Sequence, residues 1–307
     1  MWPKFGVKLA EGWMAVVRSG DRIDLAHVIS EVGKRPEIRA FDSFRVERGV
    51  DDALSRLGQS RSLKRYRCTT LLDENDYRLL QLEAPAVPEG ERVQALRWRM
   101  KDMVDFPVDG AAIAVASIPT EGRQENVFAV AAPATVVGQQ MAMFGDAKLQ
   151  LDAIDIPEMA VRNVAALFEE PNRGLAFLAL SGNDSLLVIT FRGELYLSRR
   201  IEVSAEALAQ ADEERRRQML ERLALELQRT LDNFDRQYGF ISVSRLIVAA
   251  EHDCAGTVAT LAENLYLPVA AVDMAQVANF ESIPELRSPE RQAQGLLAIG
   301  AALRSAA

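Results

Sequence analysis

Cysteine and histidine are scarce here, two of each in 307 residues. Cys68 and Cys254 form no CxxC pair, and two thiols are too few for a disulfide framework. A metal centre needs three or four ligands that converge on one point. His252, Asp253 and Cys254 are consecutive in one turn and do not converge, while His27 lies far away in the chain, so no metal site is expected. Cys254 lacks a cationic neighbourhood other than His252 and reads as a small buried hydrophobe rather than a nucleophile. Long apolar runs are missing too. Gly174–Leu180 and Ser185–Phe191 fall far short of the roughly 18 residues of a membrane span. Met1–Phe5 has no apolar signal-peptide core, so the chain is expected to stay in the cytoplasm. A net charge of −8 disfavours nucleic acid or anionic lipid as the main partner. An apolar fraction of 49% and a charged fraction of 26% suit a soluble globular protein long enough for two lobes.

What is present is one pattern written twice. Phe5–Leu9, Trp13–Arg18 and Asp21–Ile29 read as three strands joined by tight turns at Glu11-Gly12 and Gly20-Asp21. Ile38–Val46 is a further extended piece, and Val50–Leu57 a short helix with Gly58 just past its end. Strands follow over Leu63–Leu72 and Tyr77–Leu82. The second copy opens with strands over Leu175–Leu180, Ser185–Phe191 and Glu194–Val203. A long helix then runs from Ser204, an N-cap residue, to Tyr238, with Leu220, Leu223, Leu227, Leu231 and Phe234 as its apolar stripe. On it, Asp212–Arg216 and Glu213–Arg217 stand four apart and read as pairs on a solvated face. Arg245–Ala250, Gly256–Asn264 and Pro268–Asp273 form a strand–helix–strand unit, and Arg291–Leu303 is the last helix.

Between the copies, the prolines of Ala84–Pro88 mark a boundary. Beyond them a helix over Glu89–Val104 places Val93, Leu96, Met100 and Val104 on one face and ends at Phe106-Pro107. Strands over Ala111–Ile118 and Asn126–Ala132, a helix over Ala134–Phe144, a strand over Leu149–Ile154 and a helix over Pro157–Glu169 complete the chain. Helices covering a sheet in each lobe make the fold class α/β.

Duplicated strand-triplet lobes usually clamp ATP at their first hairpin turns. Such turns need glycine, so that backbone N–H groups reach phosphate, and a carboxylate for hydrated Mg²⁺. In the first turn Lys8 is cationic, Ala10 adds a side chain, Glu11 is anionic and Trp13 is bulky. Phosphate contact by Lys8 is the alternative, and Glu11 opposes it. The second turn keeps Gly182 but has Ala179 where the acid belongs. Its nearest acid, Asp184, suits a local turn hydrogen bond. After the next strand, Glu251 and His252 would crowd a purine. No catalytic residue is nominated and no cofactor is expected, ATP with magnesium being the alternative. Arg97, Trp98 and Lys101 combine basic and aromatic side chains on one helix. Trp98 suits a core equally well, although aromatic and Arg anchors are also enriched at interfaces.

Four stretches together resemble PilM-type pilus assembly proteins. They are the helix and its apolar-proline ending over Glu89–Asp109, the strand-to-helix link Leu151–Val164, Leu227–Phe234 and Leu297–Arg304. The divergent turns look most like the MshI branch, of mannose-sensitive haemagglutinin (MSHA) pilus biogenesis. The resemblance implies an actin-like fold of duplicated, ribonuclease H-like βββαβα lobes with an α+β insert like that of the cell-division protein FtsA. It implies a first lobe over 1–83, an inserted subdomain over 84–150, a returning link over 151–174, a second lobe over 175–275 and a C-terminal helix over 276–307 packing back on the first lobe.

Nucleotide-binding relatives read Asp-Ile-Gly-Ser-Ser at the first turn, where Lys8, Ala10 and Trp13 stand for the acid, the glycine and the third small residue. Ala179 and Ser181 stand for the acid and glycine of the second turn, and Glu251 and His252 for paired glycines near the base. The resemblance also implies a PilN-like inner-membrane partner whose short N-terminal tail lies in a groove beside the insert. The expected function is a non-enzymatic cytoplasmic scaffold of pilus assembly, peripheral to the inner membrane through that partner. Arg97, Trp98, Lys101, Phe106 and Val108 are its candidate partner-binding residues. An ATP-binding protein of the same fold, from pilus or type II secretion machinery, is the alternative.

Overall fold

The computed structural model describes residues 9–46, 53–54, 56, 63–120, 125–182 and 185–304. Lys8, nearly all of the expected strand Phe5–Leu9, most of the expected helix Val50–Leu57, and Asp184 lie outside the described residues.

Two five-stranded sheets share one layout. In the first, β1 (Trp13–Ser19), β2 (Arg22–Ile29) and β3 (Glu37–Arg45) pair antiparallel, and β4 (Arg67–Leu71) and β8 (Gln150–Asp155) add parallel, in the order β3-β2-β1-β4-β8. In the second, β9 (Gly174–Leu180), β10 (Ser185–Phe191) and β11 (Glu194–Ile201) pair antiparallel. There β12 (Val243–Ala250) and β13 (Val269–Ala271) add parallel, in the order β11-β10-β9-β12-β13. Every residue of β9 and β10 is buried. A sheet covered on both faces asks for continuous apolar runs rather than alternation.

The first triplet sits one strand later in the chain than the turn signals suggest. Glu11-Gly12 joins no hairpin: the Ala10 N–H donates to the Arg65 carbonyl at 2.7 Å, and Trp13 opens β1 opposite Val28. Gly12 has φ +79°, and a Cβ there would lie 2.2 Å from the Val28 carbonyl oxygen. This glycine serves a close approach of two backbones, and the hairpin turn of the lobe is Gly20-Asp21.

The insert has its own sheet of β5 (Arg78–Glu83), β6 (Ala112–Ile118) and β7 (Asn126–Ala132), in the order β5-β7-β6, with α1 (Glu89–Met100) against it. Its sheet therefore begins at Arg78, ahead of the prolines, because β5 pairs with β7 along its whole length. The expected boundary at 150 is also too late. Phe144 of α2 (Ala134–Asp146), with Ala147 and Leu149, packs on Met14, Val16 and Cys68 of the first lobe. The α1 helix stops at Met100 rather than Val104, and turns carry the chain to Gly110.

The long helix expected from Ser204 is two helices. Ser204 caps α4 (Ala205–Gln210), accepting from the Ala207 N–H at 3.1 Å, and Asp212 caps α5 (Glu213–Gln237), accepting from the Arg215 N–H at 2.8 Å. An Asp side chain that bonds a nearby N–H competes with helix continuation. Arg216 seals the break by donating to the Leu208 and Ala211 carbonyls, so it is not paired with Asp212, and Arg217 pairs with Glu221 instead of Glu213. The α5 stripe from Leu220 to Phe234 is buried as expected.

Two helices join the lobes. Pro157 at the first position of α3 (Pro157–Leu167) and Ser288 as N-cap of α7 (Pro289–Ala302) start them. The α3 helix packs on β9 and β10, and α7 packs on β1, β2 and β12. They cross where Gly300 faces Ala160, with the Asn163 amide donating to the Gly300 carbonyl at 2.9 Å. Among the described residues no helix is long and apolar enough to cross a membrane.

Candidate functional site

Two concavities flank α3. The first is a cleft of about 750 Å³ between the lobes. The Gly20-Asp21 hairpin faces it from one side, and Ala179, Ser181 and Gly182, with Glu251 and His252, face it from the other. Sequence reasoning therefore placed the second-lobe residues at the cleft but took the wrong turn in the first lobe. Ala10 does not line the cleft. Trp13 is buried in the core beneath the Arg67 guanidinium, 4.2 Å from its ring centroid.

At the far wall Asp253, with φ +43°, caps α6 (Cys254–Asn264) through the Gly256 N–H, and Cys254 is buried with its thiol toward the Val248 carbonyl. Side chains bridge the cleft. Arg22 lies 3.4 Å from Glu251 and 3.5 Å from Asp24. Arg200 donates to Glu74 at 2.8 Å, to the Tyr77 hydroxyl at 2.9 Å and to Glu158 at 3.0 Å, and Tyr77 in turn donates to Glu158 at 2.5 Å. Burial and the adjacent Glu158 carboxylate hold the Tyr77 phenol far above its ordinary range.

Neither thiol is set up for chemistry. Burial pushes Cys68 up to about 12 and raises Cys254 as well, and the thiolate is the reactive form. A thiol reagent added to the native protein near pH 8 should label neither cysteine, and both should react after denaturation. Stoichiometric labelling of Cys254 in the folded state would restore it as a candidate nucleophile.

The second concavity is a groove of about 630 Å³ on the other side of α3. One wall is Ala112–Ala116 of β6, the outer strand of the insert sheet, which pairs only with β7 among the described strands. An outer strand turns half of its N–H and C=O groups away from its neighbour. The opposite wall is α3, with Met159, Arg162, Asn163 and Leu167. Arg162 donates to the Gly193 carbonyl at 3.0 Å, while its buried Nε has no hydrogen-bond partner among the described residues. Arg304, held by Asp155 at 2.8 Å, closes one side.

The five candidates drawn from the sequence do not line this groove. Arg97 donates to the carbonyls of Val108, Asp109 and Ala111, stapling the loop after α1. Val108 is buried and Phe106 half-buried in the insert core with Met100. Trp98 is 69% exposed on the outer side of α1, so it is no core residue, and Lys101 lies 6.0 Å from its ring. The residues missed were Ile113, Val115, Met159 and Arg162. The alternation in Ala112–Ile118 was the local signal, and nothing local tied it to a helix 45 residues on.

No protein-family model matches the chain, and no curated protein sequence does. Among solved structures it is similar to a chain of the PilM–PilN type IV pilus biogenesis complex. The TM-score is 0.72 and the identity 21%, over 94% of this chain and 98% of that one. It is also similar to the cytoplasmic domain of EpsL, an inner-membrane component of the type II secretion system of Vibrio cholerae. There the TM-score is 0.52 and the identity 13%, over 96% of each chain. Likeness at these identities establishes the fold. Two sheets of matching layout with a small α+β insert are the actin-like architecture expected from the sequence.

Proposed function

We propose that the groove between β6 and α3 receives an extended peptide, and that the protein is a non-enzymatic scaffold of a type IV (MSHA-type) pilus machine. One observation carries this reading: an apolar groove of about 630 Å³ runs along a strand edge to which no other described strand is hydrogen-bonded. A peptide laid there adds a strand, with main-chain hydrogen bonds supplying affinity and alternate side chains entering the groove. The likeness to PilM of the PilM–PilN complex supports a PilN-like inner-membrane protein as the source of the peptide, which would hold this chain at the cytoplasmic face.

The cleft supports a scaffold over an ATPase. Ala179 and Ser181 stand at the second turn, and Glu251 projects an acid where a nucleoside would sit. A labelled copy of the partner's N-terminal tail should bind saturably, at roughly micromolar affinity by fluorescence anisotropy. Equilibrium dialysis with ATP and Mg²⁺ should show no saturable uptake. Loss of the first result removes the peptide reading, and micromolar ATP binding favours a nucleotide-gated protein of the same fold.

A further inference from the structure

We infer that the cleft is held closed by the protein's own charges, two arginines reaching across it in opposite directions, with no ligand needed to bridge the lobes. Arg22, the first residue of β2, extends from the first lobe to Glu251 at the end of β12 in the second. Its guanidinium is anchored at home by Asp24, which is 1% exposed and takes the Ser43 hydroxyl at 2.6 Å. Arg200 on β11 extends the other way, to Glu74 beyond β4 and to Glu158 on the first turn of α3. Glu158 is 3% exposed. A carboxylate so deeply buried needs a paired cation and filled hydrogen-bond sites, and Arg200 and Tyr77 supply both. Arg200 thus ties Glu74 and Tyr77, which follow β4 of the first lobe, to Glu158 on the helix that joins the lobes, and opening the cleft would pull Glu74 and Tyr77 away from the Arg200–Glu158 pair.

The same contacts give Glu251 a role. An acid that looks out of place for nucleotide binding is the receiving end of a strut. The two struts have opposite polarity, cation on the first lobe in one and on the second lobe in the other, so sliding one lobe along the other cannot exchange their partners. The inference concerns the cleft alone and holds whether or not the groove takes a peptide.

Spin labels placed through Ala40→Cys on β3 and Ala259→Cys on α6, both exposed, test it by pulsed dipolar spectroscopy. The native cysteines are buried and stay unlabelled. The full chain should give one narrow distance distribution that magnesium ATP does not change. Arg22→Gln with Arg200→Met should shift the distribution to longer distance and broaden it. If that double variant does not fold, Arg22→Glu should broaden the distribution on its own, and adding Glu251→Arg should restore the narrow one, because both members of that pair are partly exposed and the swap keeps one charge of each sign. A native distribution that is already broad, one that magnesium ATP narrows, or one that no variant moves would each overturn the inference.

Discussion

Gly300→Ala is expected to destabilise the protein by about 2–3 kcal/mol, against the usual sign for such a change in a helix. Alanine ordinarily gains up to about 1 kcal/mol over glycine inside a helix. Here a Cβ would stand 2.2 Å from the Ala160 carbonyl oxygen and 2.7 Å from its carbon. Neither atom belongs to a side chain that can turn aside, so α3 and α7 must separate along their whole contact. The bond from Asn163 to the Gly300 carbonyl stretches with them. Clash outweighs propensity, and Tm should fall by roughly 5–10 °C. Gly138→Ala is the control. It lies on exposed α2 with nothing within 4 Å of its would-be Cβ, so the same substitution should raise stability by about 0.5–1 kcal/mol. Equal effects at the two sites in chemical denaturation would mean that the helix crossing is looser than described.

Ala114→Trp is expected to reduce peptide binding at least tenfold, which is about 1.4 kcal/mol or more, with Tm unchanged. Ala114 is exposed on β6 and forms part of the groove wall. An indole there fills the space that a peptide's side chains would use, yet it displaces nothing from the insert core of Met100, Val108 and Ala129. Trp98→Ala is the comparison. This residue lies away from the groove, so its removal should leave affinity within about twofold. If Trp98→Ala abolishes binding and Ala114→Trp does not, the partner sits on the outer face of α1, as the sequence alone suggested.

Much of the fold was legible because its signals are local. The strands β9 to β11, the stripe on α5 and the helix starting at Pro157 are each read from neighbouring residues. Errors arose where pairing at a distance decides. Gly12 and Gly20 both have positive φ, and sequence cannot say which one turns a hairpin and which one makes room for a carbonyl from β2. Tyr77–Leu82 reads as a strand, but only the register of Arg78–Glu83 with Asn126–Ala131 assigns it to the insert. The groove was invisible for the same reason. Its walls come from residues near 114, 160 and 304, none remarkable in its own neighbourhood. The helix carrying Trp98 drew attention because basic and aromatic residues cluster there, and the structure uses that cluster largely to secure the insert.

One arrangement described above carries its own gauge. Arg304 stands between the groove and the indole of Trp13, 5.8 Å from the ring centroid, and Arg67 covers the same ring. A molecule entering the groove must disturb Arg304 and with it the local field on a buried fluorophore. In a Trp2→Phe variant, which leaves two of the three tryptophans, emission colour from Trp13 should then report occupancy without any attached dye, while Trp98, open to water, supplies the quenchable background against which that signal is separated.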